Sequence, residues 1–81
     1  AKAYYIKGNS FYYDYKDYKK ALKYSNISIT YGGFLTLSRR TRIDANIALK
    51  NINQACSDIN FLRLKGPTET KSYMEFHKEN C

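Results

Sequence analysis

Apolar and small residues recur at three- and four-residue steps through most of this chain, the period of a helix rather than of a strand. Tyr4, Lys7/Gly8, Phe11 and Tyr15 form the first such series and predict a helix over residues 2 to 14. Gly8 inside that helix costs about 1 kcal/mol relative to alanine. The close approach of a second helix is a physical reason to keep it. Asp14 to Asp17 is a short polar turn. The Asp17 carboxylate is placed to cap the helix that follows by accepting a backbone N–H. That helix is predicted over about 18 to 31, with Tyr18, Ala21, Leu22, Ser25, Ser28 and Ile29 on a narrow inner stripe.

Gly32-Gly33 is the clearest break in the chain, and either glycine suits the left-handed backbone that ends a helix. Phe34 to Leu37 begins a third helix over about 35 to 48, and Asn51-Ile52-Asn53 marks the next turn. A fourth helix is predicted over about 52 to 64, with Ile52, Ala55, Cys56, Ile59 and Leu62 inward. Gly66-Pro67 stops it, because proline disfavours helical geometry in the residue before it. Thr68 is a candidate cap for a fifth helix over about 69 to 79, where Tyr73, Phe76 and His77 pack back. The chain therefore reads as all-α, with five helices.

Eighty-one residues make one small domain, 1-81. A single compact core is marginal at this size, whereas stacked helical hairpins cover each other's apolar faces. Fourteen Lys and Arg against seven Asp and Glu give a net charge of +7, which favours anionic partners. Cys56 and Cys81 are too few for a disulfide scaffold and lack metal-ligand spacing. Cys56 falls on an apolar face and reads as a free buried thiol, Cys81 as an exposed one. Reduced cysteines suit a cytosolic or nuclear setting, so a cytoplasmic location is expected. No apolar run approaches the roughly 20 residues of a membrane span, and no signal-peptide pattern is present. Ala1 at the start and a polar end are expected of a piece of a longer protein.

Catalysis is not expected. His77 is the single histidine and has no nucleophile near it in sequence. The serines sit at helix-packing or cap positions, the acids are scattered, and no glycine-rich loop follows a strand. No cofactor and no metal are expected.

A period is visible as well. Ala21 and Ala55 lie 34 residues apart, and the turns Lys16-Asp17-Tyr18-Lys19-Lys20-Ala21 and Lys50-Asn51-Ile52-Asn53-Gln54-Ala55 have the same form. Tyr4, Arg39 and Tyr73 mark matching first-helix positions at spacings of 35 and 34. With Tyr4, Gly8, Asn9, Phe11, Tyr18, Ala21 and Ile29 in place, the chain resembles the tetratricopeptide-repeat (TPR) family, whose helix-turn-helix unit has a period of about 34 residues. The resemblance implies an α-α superhelix of about two and a half repeats. Repeat one is 2-35, with one extra residue in its turn, and repeat two is 36-69, closing on Pro67. Residues 70-81 are the first helix of a third repeat or a capping helix. Repeat two departs from the pattern, with Ile43 where a small residue is expected and Asn46 where an aromatic is expected. Thr41-Arg42, Leu49-Lys50-Asn51, Gln54-Ala55 and Ser57-Asp58 are similar to the second repeat of chaperone-binding members.

In such a stack the first helix of each pair lines the concave face. The resemblance places Lys2, Tyr5, Asn9, Tyr12 and Tyr13 there from the first helix. Leu37, Arg40, Thr41 and Asp44 follow from the third helix, and Lys71, Met74 and Lys78 from the fifth. Tyr5, Asn9, Tyr12, Arg40, Thr41 and Lys71 are the expected peptide contacts, with Asn9 exposed. Chaperone-binding members clamp the C-terminal carboxylate of heat-shock chaperones with two lysines, two asparagines and an arginine. Asn9 matches the first asparagine and Lys71 the second lysine. Tyr5, Thr41 and Glu75 stand at the other three positions. The implied function is protein or peptide binding, as a co-chaperone or scaffold-like adaptor, with an acidic C-terminal chaperone segment as a candidate partner. Two alternatives stand beside it. The stretch from Tyr12 to Tyr24 holds five tyrosines and four lysines, a composition that suits nucleic-acid binding. A structural role in a larger assembly is the other.

Overall fold

The computed structural model describes residues 2–32 and 35–81. Among the described residues five α-helices follow one another: α1 Lys2–Tyr13, α2 Tyr18–Tyr31, α3 Leu35–Ala48, α4 Ile52–Lys65 and α5 Met74–Asn80, with a 3-10 segment at Pro67–Tyr73 before the last. No strand is present among the described residues. The chain is all-α, and consecutive helices pack as antiparallel hairpins. The contacts fix that direction: Tyr4 meets Tyr31 while Phe11 meets Tyr24, Ser28 meets Ser38 while Asn26 meets Arg42, and Cys56 meets Cys81 while Asn60 meets His77.

The helix ends follow from local chemistry. Asp17 caps α2, its carboxylate accepting the Lys20 N–H at 3.2 Å. Gly32 closes α2 with a positive φ of 79°, and its N–H donates to the Ile29 carbonyl. Gly66 ends α4 in extended backbone ahead of Pro67. Gly33 and Phe34, expected to share in the break and the start of α3, lie outside the described residues, as does the side chain of Thr68, the expected cap.

Two turns share a backbone device. Lys16 has φ 52° and Lys50 has φ 63°, 34 residues apart, and each is followed by one non-helical residue, Asp17 at φ -94° and ψ 86° and Asn51 at φ -85° and ψ 72°, and then a helix. The Asp17 N–H reaches back to the Phe11 carbonyl and the Asn51 N–H to the Asn46 carbonyl, both at 2.8 Å. The first turn is one residue longer, because α1 ends at Tyr13 rather than at residue 14 and α2 begins at Tyr18.

Small residues set the helix spacing. Gly8 is buried against α2, where an added Cβ would lie 3.1 Å from Ser25 Oγ and 3.3 Å from Ser25 N. Ser25 Oγ donates to the Ala21 carbonyl, and Ser28 and Ser38 share a 2.7 Å bond between α2 and α3. These buried hydroxyls are thus satisfied, as burial requires. The larger core lies between α3, α4 and the C-terminal segment: Ile43, Ile59, Leu62 and Tyr73, with Ile47, Met74 and Phe76 against them. Ile43 and Asn46, the two departures in the second hairpin, are both buried.

Two expectations are corrected. The fifth helix is not continuous over 69 to 79: its first half is 3-10, and α-helix begins only at Met74. The cysteines are not free thiols: Cys56 and Cys81 form a disulfide, with Cα atoms 5.8 Å apart. The physical reason is the return of α5 along α4, which carries Cys81 beside the second turn of α4, a contact that spacing alone does not reveal. His77 packs back as expected, its Nε2 2.8 Å from Asn60 Oδ1.

Candidate functional site

On α1, residues at four-residue steps share a face, and Tyr5, Asn9 and Tyr13 fall on one. On α3, Leu37, Arg40, Thr41 and Asp44 do the same. α1 and α3 run side by side with α2 behind them, so these two faces meet. Between them lies an open cleft of about 200 Å³ lined by those seven residues.

Its floor is hydrogen-bonded. Thr41 Oγ1 lies 3.1 Å from Asn9 Oδ1 and 3.2 Å from the Leu37 carbonyl. The Asn9 amide N–H₂ donates to the Tyr5 hydroxyl at 3.5 Å. At the far end the Tyr73 hydroxyl donates to Asp44 Oδ1 at 2.9 Å and approaches the Arg40 carbonyl at 3.3 Å. Burial pushes the Asp44 carboxyl up, opposed by the Tyr73 hydrogen bond and the Arg40 charge. Burial and the Asp44 charge raise the Tyr73 phenol well above its ordinary value, so it stays a donor. Chemically, the cleft offers an amide, a guanidinium and a carboxylate beside the rings of Tyr5 and Tyr13 and the apolar Leu37. That set suits an extended chain with mixed side chains.

Of the six residues picked from sequence, four line this cleft: Tyr5, Asn9, Arg40 and Thr41. Thr41 is only 5% exposed, so it organises the floor rather than offering a free hydroxyl. Asn9 is half-buried and bridges α1 to α3, not simply exposed as expected. Tyr12 packs beside the cleft against Tyr13 and Tyr18, and its phenol is raised first by burial and next by Asp44. Lys71 is exposed on the 3-10 segment and does not line the cleft. Leu37, Asp44 and Tyr13 were placed on the concave face by the repeat pattern. The grip of Tyr73 on Asp44 was not foreseen, since it needs the C-terminal segment to return across α3.

A second concavity, of about 300 Å³, opens between α2 and α4 and includes Asn26, Arg42, Asn51 and Asp58. Its charges are satisfied internally. Asp58, 5% exposed, accepts from Arg42 Nε and Nη2 at 2.7 and 2.6 Å and from Arg39 Nη1 at 2.8 Å. Arg39 also stacks on Phe61, its guanidinium carbon 3.8 Å from the ring centroid. The basic run Arg39-Arg40-Thr41-Arg42 is therefore largely an internal brace. Among the described residues no His, Cys, Asp or Glu cluster could hold a metal ion, and no helix is long and apolar enough to cross a membrane. Compared with known proteins, the chain matches no protein-family model, no curated protein and no solved structure.

Proposed function

We propose that this chain is a TPR-like interaction module that binds an extended segment of a partner protein between α1 and α3, in the manner of a scaffold or co-chaperone adaptor. The observation that carries the reading is the seven-residue cleft, in which α1 and α3 contribute one face each. Arg40 supplies a contact for a partner carboxylate. The Asn9 amide supplies one for a backbone carbonyl, and Leu37 and Tyr13 receive an apolar side chain. An acidic C-terminal tail, such as that of a heat-shock chaperone, fits the +7 charge of the chain. The Cys56–Cys81 bond supports an oxidising compartment over the cytoplasmic setting expected from sequence, and so a partner presented there.

Calorimetric titration with an acidic C-terminal peptide and its amidated twin tests the reading. Tight binding lost on amidation supports carboxylate capture. Equal binding of both moves the recognition to side chains. Binding unchanged by both Asn9→Ala and Arg40→Ala removes the cleft as the site.

A further inference from the structure

The face of the α1–α2 hairpin turned away from the cleft carries a row of aromatic rings drawn alternately from the two helices. Tyr31 stacks on Tyr4 at 5.8 Å between centroids, Tyr4 on Tyr24 at 6.4 Å, and Tyr24 on Phe11 at 5.5 Å, with ring planes within 14° of parallel. Tyr15 lies next in line, 5.7 Å from Phe11 and tilted 46° to it. Both ends are open to solvent, with Tyr31 71% and Tyr15 72% exposed.

Three ammonium groups lie over these rings: Lys7 and Lys23 over Tyr24 at 5.2 and 5.5 Å, and Lys20 over Phe11 at 5.3 Å. None of the three is in an ion pair among the described residues. The two acids of this hairpin are engaged elsewhere, Asp14 with the Ser10 hydroxyl and Asp17 with the Lys20 N–H. On α1 the cleft uses Tyr5, Asn9 and Tyr13, whereas this face uses Tyr4, Lys7 and Phe11, so the two surfaces are separate.

We propose that this ring row binds single-stranded nucleic acid, bases stacking on the exposed rings and phosphates meeting Lys7, Lys20 and Lys23. Aromatic platforms beside a cationic track are how unpaired strands are held without sequence preference. Charge selects this occupant over a second copy of the chain, which would bring the same three ammonium groups together. The four nearly parallel rings from Tyr31 to Phe11 suit planar bases better than the branched side chains of an acidic peptide.

The test is fluorescence anisotropy with a labelled oligothymidine of about 20 nucleotides, long enough for one site. Saturable binding is expected at low salt, with log Kd rising against log salt at a slope of about 2 for three phosphates. Lys7→Glu, Lys20→Glu and Lys23→Glu together should abolish binding. Tyr31→Ala, at an exposed position that leaves the fold intact by circular dichroism, should weaken it about ten-fold. Asn9→Ala, in the cleft, should leave it unchanged. No saturable binding, equal affinity for a duplex of the same length, or equal loss on Asn9→Ala would overturn the assignment. So would binding of a polyglutamate peptide or of anionic lipid vesicles with the same sensitivity to Tyr31→Ala, or dimerisation in sedimentation that this variant abolishes.

Discussion

Opening the Cys56–Cys81 bond should cost this domain a large part of its stability. The bond closes a loop between residues 25 apart in sequence. In the unfolded chain that closure removes conformational entropy worth about 3.5 kcal/mol at room temperature. A chain of 81 residues has roughly 4 to 12 kcal/mol in total. The reduced protein still has Tyr73 and its neighbours Met74 and Phe76 against the core, so the native state survives with a smaller margin. At about 4 to 8 °C per kcal/mol for a domain this small, the melting temperature should fall by about 14 to 28 °C. Thermal melts by circular dichroism, with and without a phosphine reductant, measure the shift. The double variant Cys56→Ser, Cys81→Ser should melt where the reduced wild type does and ignore the reductant. Thiol titration of the denatured, unreduced protein should find no reactive sulfur. Two reactive thiols, or a melting temperature that the reductant leaves in place, would refute the pairing and restore the free cysteines expected from sequence.

Three further outcomes follow from the packing. Asp58→Ala leaves the Arg39 and Arg42 guanidiniums facing each other without their shared carboxylate and should cost about 3 kcal/mol in urea unfolding. Gly8→Leu should unfold the domain, because even a Cβ there meets the Ser25 backbone at 3.3 Å and the rest of the side chain has no room; full helicity and an unchanged melt would show the α1–α2 contact to be wrong. Tyr73 is held neutral by burial and by Asp44, so above the ordinary tyrosine range the native state keeps a proton that the unfolded chain releases, and stability falls as pH rises past about 10. Tyr73→Phe should flatten that alkaline decline in urea melts taken from neutral pH upward.

Helix positions were legible wherever punctuation was chemical. Asp17, Gly32 and Gly66-Pro67 each act through the backbone effect that marks them in sequence. Gly8 and the serines of α2 were legible because a narrow stripe of small residues has few uses other than close packing. The cleft-lining faces of α1 and α3 were expected only through the resemblance to stacked helical hairpins, in which the first helix of each pair lines the concave side. The rest was hidden for a common reason, that it depends on where the last fifteen or so residues return. The 3-10 segment Pro67–Tyr73 has no strong helical period of its own. Only the return of α5 along α4 joins Cys81 to Cys56, and only the adjacent 3-10 segment brings Tyr73 to Asp44. Asp58 looked like one scattered acid among many basic residues, and nothing local to it announces two arginine partners from α3. Lys16 and Lys50 gave no sign of positive φ, since lysine has no special tolerance for it.

Those two left-handed lysines have a consequence for how the chain can grow. They recur after 34 residues, and each is followed by one residue of closely similar non-helical backbone and a helix start. Whatever lies between them begins and ends in the same backbone state, so a tandem copy of that stretch would rejoin its neighbours in register. Lengthening by whole modules is thereby geometrically cheap, and each added module would set one more helix beside α1 and α3.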